Sequence, residues 1–220
     1  MVTYLKSLVV LIPLTIGLIR YRKMDRSYQL FVILMLMYLV NETNNFLSIK
    51  LFRTNAINFN IFSLIEGLYV FYIFHLWGFL QKQKKLFIVL QVGITLLWII
   101  ENLVFLKITE FSPYYRLVYS FIIVLLSVNQ VNFLVIHNSK NLLKNGQFLI
   151  CVGFIIFFMY QILYEGAYFI RYISPDSKAF ARRIMSLFVD MNIFINLYYA
   201  VAIFFIPEKE KLPFTLNKLD

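Results

Sequence analysis

Five carboxylates fall inside long apolar stretches of this chain: Glu42, Glu66, Glu101, Glu165 and Asp190. An ionised acid at the centre of a membrane helix costs about 2.5–3.5 kcal/mol on insertion scales, so each is a functional candidate by default. Together they could capture a cation, a protonated amine or a transferable proton. Polar neighbours recur beside them at helical spacing: Asn41 and Asn45 near Glu42, Asn102 after Glu101, Tyr168 near Glu165, and Asn192 and Asn196 near Asp190. The ligand-binding candidates are therefore Glu42, Glu66, Glu101, Glu165, Asp190, Asn45, Asn102, Tyr168 and Asn196. The competing reading is structural. Single acids could pair with Arg116, Arg171, Arg182 or Arg183 at the same level, carry a proton, or tie helices together through Asn and Tyr hydrogen bonds.

The elements that must position these groups follow from the surrounding residues. Hydrophobic residues make up 61% of the 220 positions and charged ones only 15%, against about 45–50% and 25% in a soluble domain. Mean hydropathy is +0.75. A bilayer core of about 30 Å needs about 20 apolar residues in a helix. Seven runs meet that need: Tyr4–Arg20, Tyr28–Lys50, Asn58–Leu80, Leu86–Leu106, Tyr114–His137, Phe148–Tyr172 and Met185–Ile206. The alternation of a membrane barrel is missing. The first run lacks a signal-peptide cleavage site, and its basic residues follow it rather than precede it. The expected fold is all-α: a polytopic integral membrane protein with a seven-helix bundle over residues 1–207 and a short cytoplasmic tail, 208–220.

Depth follows from direction. Spans two, four and six run toward the face from which three, five and seven start. Counting from the span ends, all five acids sit about 7–12 Å below that one face, at 1.5 Å per residue. Polar faces in lipid turn inward, so a carboxylate-ringed cavity is expected to open there. With the N-terminus outside, the inner loops and tail carry twelve Lys and Arg against nine outside. Four of the twelve fall in the first loop, and the expected orientation is N-outside, C-inside. The net charge of +10 then anchors anionic headgroups, and no nucleic acid is expected as a partner.

Several chemistries are excluded. Retinal needs a lysine in mid-span, and every lysine lies at a span end, in a loop or in the tail. A zinc hydrolase needs several histidines, and His75 and His137 lie toward the opposite face. Cys151, the one cysteine, makes no zinc motif or intrachain disulfide. No serine-hydrolase elbow or glycine-rich phosphate loop appears, so neither metal nor cofactor is expected. The loops are too short to hold an output domain.

The stretches NETNNF (41–46), NFNIFSLIEGLYVFY (58–72), GFIIFFMYQILYEGAYF (153–169) and NIFINLYYAVAIF (192–204) resemble the small seven-transmembrane-helix, sensor-like proteins of bacteria. That resemblance implies the sensing portion of a signalling system without its output domain, and it assigns no residue roles. The first functional expectation is thus a receptor or sensor in an inner, cytoplasmic membrane. It would take a small molecule or cation in the outer-leaflet cavity and act through a cytoplasmic or membrane signalling partner. The alternative is a small-solute or cation transporter. It is motivated by acids spaced 24 residues apart in spans two and three and 25 apart in spans six and seven, an echo of parallel repeats. It requires a polar path through the inner half, for which Asn129, Gln130 and Asn132 are the candidates. A membrane-embedded enzyme ranks last, because no nucleophile–base or metal pair converges.

Overall fold

The computed structural model describes residues 6–77, 80, 83–137, 142–170 and 175–208. The tail from 209 onward, with its lysines, lies outside the described residues, as do Arg171 and the expected basic loop positions 82 and 140. The described residues are all-helical, with no strand. A 3-10 turn, Leu8–Val10, leads into α1 (Leu11–Arg20), and a second, Tyr21–Lys23, leaves it. Then come α2 (Arg26–Phe52), α3 (Ala56–Leu76) and α4 (Lys84–Ile99), which continues as a π-helical segment, Ile100–Phe105. After α5 (Pro113–His137) and α6 (Gly146–Ile170) come α7 (Pro175–Ser186) and α8 (Phe188–Phe204), joined at Leu187.

Six of the helical rods have 21 to 29 residues and are apolar enough to cross a membrane, counting α4 with its π segment and α7 with α8 as one each. The shortest is about 31 Å long at 1.5 Å per residue, enough for the hydrocarbon core. Their outer surface is apolar: Ile19, Leu51, Phe105 and Ile136 are each at least 70% exposed. Such a surface suits lipid contact and would aggregate in water. The first run differs from the other six. It is helical over 6–23, about 27 Å by the same rise, but broken by 3-10 turns.

The helix ends are fixed locally. The Asp25 carbonyl accepts the N–H groups of Tyr28 and Gln29 at 3.0 Å each, starting α2. Arg53 closes α2 in the left-handed region, at φ 59°, with its N–H donating to the Ile49 carbonyl, a position more often given to glycine. Asn145 Oδ1 accepts the Phe148 N–H at 3.1 Å and opens α6.

Packing arranges α1, α2, α3, α5, α6 and α8 in a ring, each against the next and α8 back against α1. Helix α4 lies outside the ring, against α3 and α5. Helix α1 runs parallel to α8. At one end Lys6 Nζ lies 3.7 Å from Asp190 Oδ1. At the other, Arg20 donates to the carbonyls of Ile203 (2.7 Å), Phe204 (2.5 Å) and Ile206 (2.7 Å). The guanidinium thereby caps the carbonyls at the C-terminal end of α8, where a cation also suits the helix dipole.

One half of the ring interior is an aromatic plug. Phe31, Phe74, Phe154 and Phe158 are each at most 1% exposed. Phe154 meets Phe31 edge-on at 5.9 Å between centroids and packs at a tilt on Phe74 at 6.0 Å and Phe158 at 5.9 Å, geometries that ring quadrupoles favour. Gln130 is buried in α5, Asn129 is half-buried and Asn132 is exposed. None of the three lines either of the cavities described below.

Candidate functional site

Above the plug lie two cavities that share a wall. The outer vestibule, about 550 Å³, is bordered by Asn45, Lys50, Asn55, Phe111, Glu165 and Tyr168. Lys50, Asn55 and Phe111 place its mouth toward the α2–α3 turn and the α4–α5 connection. The inner chamber, about 80 Å³, is bordered by Tyr38, Glu66, Tyr119, Gln161, Asn196 and Tyr199. Ser7, Glu42, Phe59, Arg116, Phe188 and Asn192 border both.

Arg116 stands between the two spaces, one turn into α5. Its Nη2 lies 2.8 Å from Glu165 Oε1 on α6, and both side chains are at most 4% exposed. Its guanidinium carbon sits 3.8 Å from the centroid of the Phe59 ring on α3, a cation–π contact. Its Nε is buried with no hydrogen-bond partner.

Glu66 forms the floor of the inner chamber. Tyr38 Oη donates to Glu66 Oε1 at 2.6 Å, and Tyr119 Oη donates to Oε2 at 2.7 Å. Gln161 Nε2 donates to Tyr119 Oη at 2.9 Å. This polar chain joins α2, α3, α5 and α6, and buried networks are stable when their members are satisfied in this way. Glu42, half-buried on α2, is hydrogen-bonded to Ser7. Among the described residues no Lys, Arg or His nitrogen lies within ion-pair distance of Glu42 or Glu66.

Asparagines line the α2–α3 side. Asn58 Nδ2 donates to Asn41 Oδ1 at 2.9 Å and Asn45 Oδ1 at 2.7 Å. On α8, Asn196 Nδ2 donates to the Asn192 carbonyl at 2.8 Å and to its Oδ1 at 2.7 Å.

The structure therefore gathers Glu42, Glu66, Glu165, Asn45, Tyr168 and Asn196 around the two cavities. It does not bring Glu101, Asn102 or Asp190 there. Glu101 receives the N–H groups of Tyr114 (3.0 Å) and Tyr115 (2.5 Å) in the first turn of α5. Those are orphan donors at the positive end of a helix dipole, and a carboxylate satisfies both. The π turn, in which Leu106 N–H donates to the Glu101 carbonyl at 2.8 Å, buries Glu101 and Asn102 together while Leu103, Val104 and Phe105 stay exposed. Asn102 Nδ2 donates to the Trp98 carbonyl at 3.0 Å, and its Oδ1 accepts the Ser112 hydroxyl. The Asp190 side chain is 63% exposed and, among the described residues, ion-pairs with Lys6 alone, a contact of little energetic weight at a surface.

Glu101→Gln is accordingly expected to lower stability by about 1–3 kcal/mol, because the amide turns a donor toward a backbone donor. Amide exchange at Tyr114 and Tyr115 should quicken, while ligand response at the cavities stays as in the parent. Unchanged exchange at those two amides would contradict the capping role.

The sequence had offered Arg116 only as one of four arginines able to pair with an acid. Tyr38 and Gln161 sit four residues before Glu42 and Glu165, on the same helix faces. Following that spacing back from each acid would have found both. Tyr119 lies three residues after Arg116, on the same stripe of α5. Nothing in the sequence pointed to Phe59 as the seat of a guanidinium. His75 stacks on Phe87 at 4.4 Å, and His137 on Phe133 at 4.2 Å, away from the cavities. Among the described residues no three His, Cys, Asp or Glu side chains gather as a metal site. No family model, curated protein or solved structure matches the chain.

Proposed function

We propose that this chain is a seven-helix receptor or sensor module of a cytoplasmic membrane, with its N-terminus outside. It binds a small ligand in the vestibule and inner chamber and passes helix shifts to a partner protein. The observation that carries this reading is a polar cavity bordered by charged side chains from several helices and backed by tightly packed phenylalanines. The parallel course of α1 beside α8 supports an odd number of crossings, since alternating spans return to the first direction only at odd positions. The transporter reading requires a polar path through the other half, and the packing of Phe31, Phe74, Phe154 and Phe158 speaks against it.

Single-cysteine labelling in a Cys151→Ala background tests the reading. In intact cells, Tyr168→Cys is expected to react with a membrane-impermeant thiol reagent added outside. Gln130→Cys, buried in α5, should react from neither side. Labelling of Gln130→Cys from the inside, or solute uptake by proteoliposomes of the pure protein, would replace the receptor reading by a transporter.

A further inference from the structure

We propose that the cavities take an organic ammonium ion: its charged head enters the inner chamber beside Glu66, and its apolar body lies in the vestibule. This rests on the receptor reading and adds the chemical class of the ligand.

Charge balance is the first argument. Two acids, Glu42 and Glu66, border the inner chamber together with one base, Arg116. That base is already engaged by Glu165 at 2.8 Å. Acids thus outnumber bases two to one on the chamber wall, and no Lys, Arg or His nitrogen among the described residues lies within ion-pair distance of Glu42 or Glu66. Buried carboxylates in apolar surroundings are stable when a cation completes them.

The walls supply the second argument. Tyr38, Phe59, Phe62, Tyr119, Phe157 and Tyr199 are all aromatic, and aromatic faces attract alkylammonium groups. A calcium or magnesium ion instead needs six or more oxygen donors at close range. The acids here are spread along the walls, and no three of them cluster among the described residues.

An orphan hydroxyl is the third. Tyr199 is 3% exposed and borders the chamber together with Glu66. Its Oη is buried and has no hydrogen-bond partner. Buried hydroxyls in native structures are almost always partnered, so an N–H donor from the ligand fits that vacant acceptor. Size agrees with a head-and-body division. The inner chamber, about 80 Å³, has room for roughly five to eight waters, or for an ammonium group with its first carbons. The vestibule, at about 550 Å³, accommodates an aryl or alkyl body.

The shared chemistry is a primary ammonium on an apolar body, and it has two sources: a free amine or the headgroup of an aminophospholipid. The test uses the intact protein in nanodiscs, with unfolding followed by a thiol-reactive dye on Cys151, which is fully buried. Three probes of matched shape are titrated: benzylammonium, benzyl alcohol and benzoate. In phosphatidylglycerol discs, benzylammonium is expected to raise the unfolding temperature progressively with concentration, as binding to the folded state alone requires. The alcohol and the anion should leave it unchanged. Glu66→Gln should raise the benzylammonium concentration needed for the same shift at least tenfold, and the exposed Asp190→Asn should not alter it. In phosphatidylethanolamine discs, a higher starting temperature with a smaller benzylammonium response identifies the lipid headgroup as occupant. An unaltered response identifies a free amine, and both support the ammonium class. The proposal is overturned if benzoate or benzyl alcohol matches benzylammonium, if no probe shifts the unfolding, or if Glu66→Gln responds as the parent does. The ranking on the unmodified protein stands even if that variant fails to fold. A benzoate preference would still leave a one-sided receptor cavity, whereas inside labelling of Gln130→Cys would remove it.

Discussion

Arg116→Met is expected to destabilise the bundle by about 3–5 kcal/mol, because it leaves Glu165 buried without its cation. Glu165 and Arg116 are 3% and 4% exposed at their side chains, so solvation compensates little for the loss of either partner. Glu165→Met is expected to cost a similar amount for the mirrored reason. The double variant should recover most of the loss, since paired burial of two charges is itself close to neutral against two apolar side chains. What the double variant does not recover is the contact of the guanidinium with the Phe59 ring, about 0.5–2 kcal/mol. A double-mutant cycle on unfolding, read by dye access to Cys151, gives the coupling directly. Additive losses in the double variant would show that the pair is not the unit of stability between α5 and α6. The same substitution also changes the cavity. With Arg116 gone, Glu165 joins Glu42 and Glu66 as an acid without a base, so benzylammonium should bind the surviving folded protein more tightly.

Gly153→Ala is expected to cost about 1–3 kcal/mol, the range for overpacking a filled core. A Cβ on Gly153 would lie 2.3 Å from Tyr199 Cε1 and 3.1 Å from Cδ1. The ring cannot retreat easily. Phe31 holds it edge-on at 5.1 Å, and Phe154 at 6.0 Å. Any movement of that ring also shifts the hydroxyl bordering the inner chamber, so the benzylammonium response should weaken together with stability. Gly93→Ala and Gly166→Ala are the matched controls, as nothing lies within 4 Å of either added Cβ. They should be neutral or gain up to about 1 kcal/mol from helix propensity. Equal effects at all three glycines would show that α6 and α8 are not in the close contact described.

The length and polarity of the helices were legible in the sequence because both are local properties. Twenty apolar residues make a bilayer-length rod whatever surrounds them, and six such rods appear near the places the runs predict. The expectation of one common level for the acids came from the same count, yet the helix bounds place Glu101 and Glu165 near a rod end and Glu66 and Asp190 near the middle of theirs. Rotation of each rod about its axis was not legible. In lipid the outer face is as apolar as the core, so hydrophobic periodicity carries little information about which side of a helix turns inward. Glu66 and Asp190 lie at similar depths by residue count, yet α3 turns one into the chamber and α8 turns the other outward to Lys6. Glu101 depended on a π turn that no spacing announced, and that turn aims its carboxylate at the start of α5. Arg116 finds Glu165 because α5 and α6 pack along each other, which juxtaposes residues 49 positions apart. Residue composition was enough to mark the rods and the acids on them; how the helices pack selects which acids face a cavity, which one caps a helix and which meets the surface.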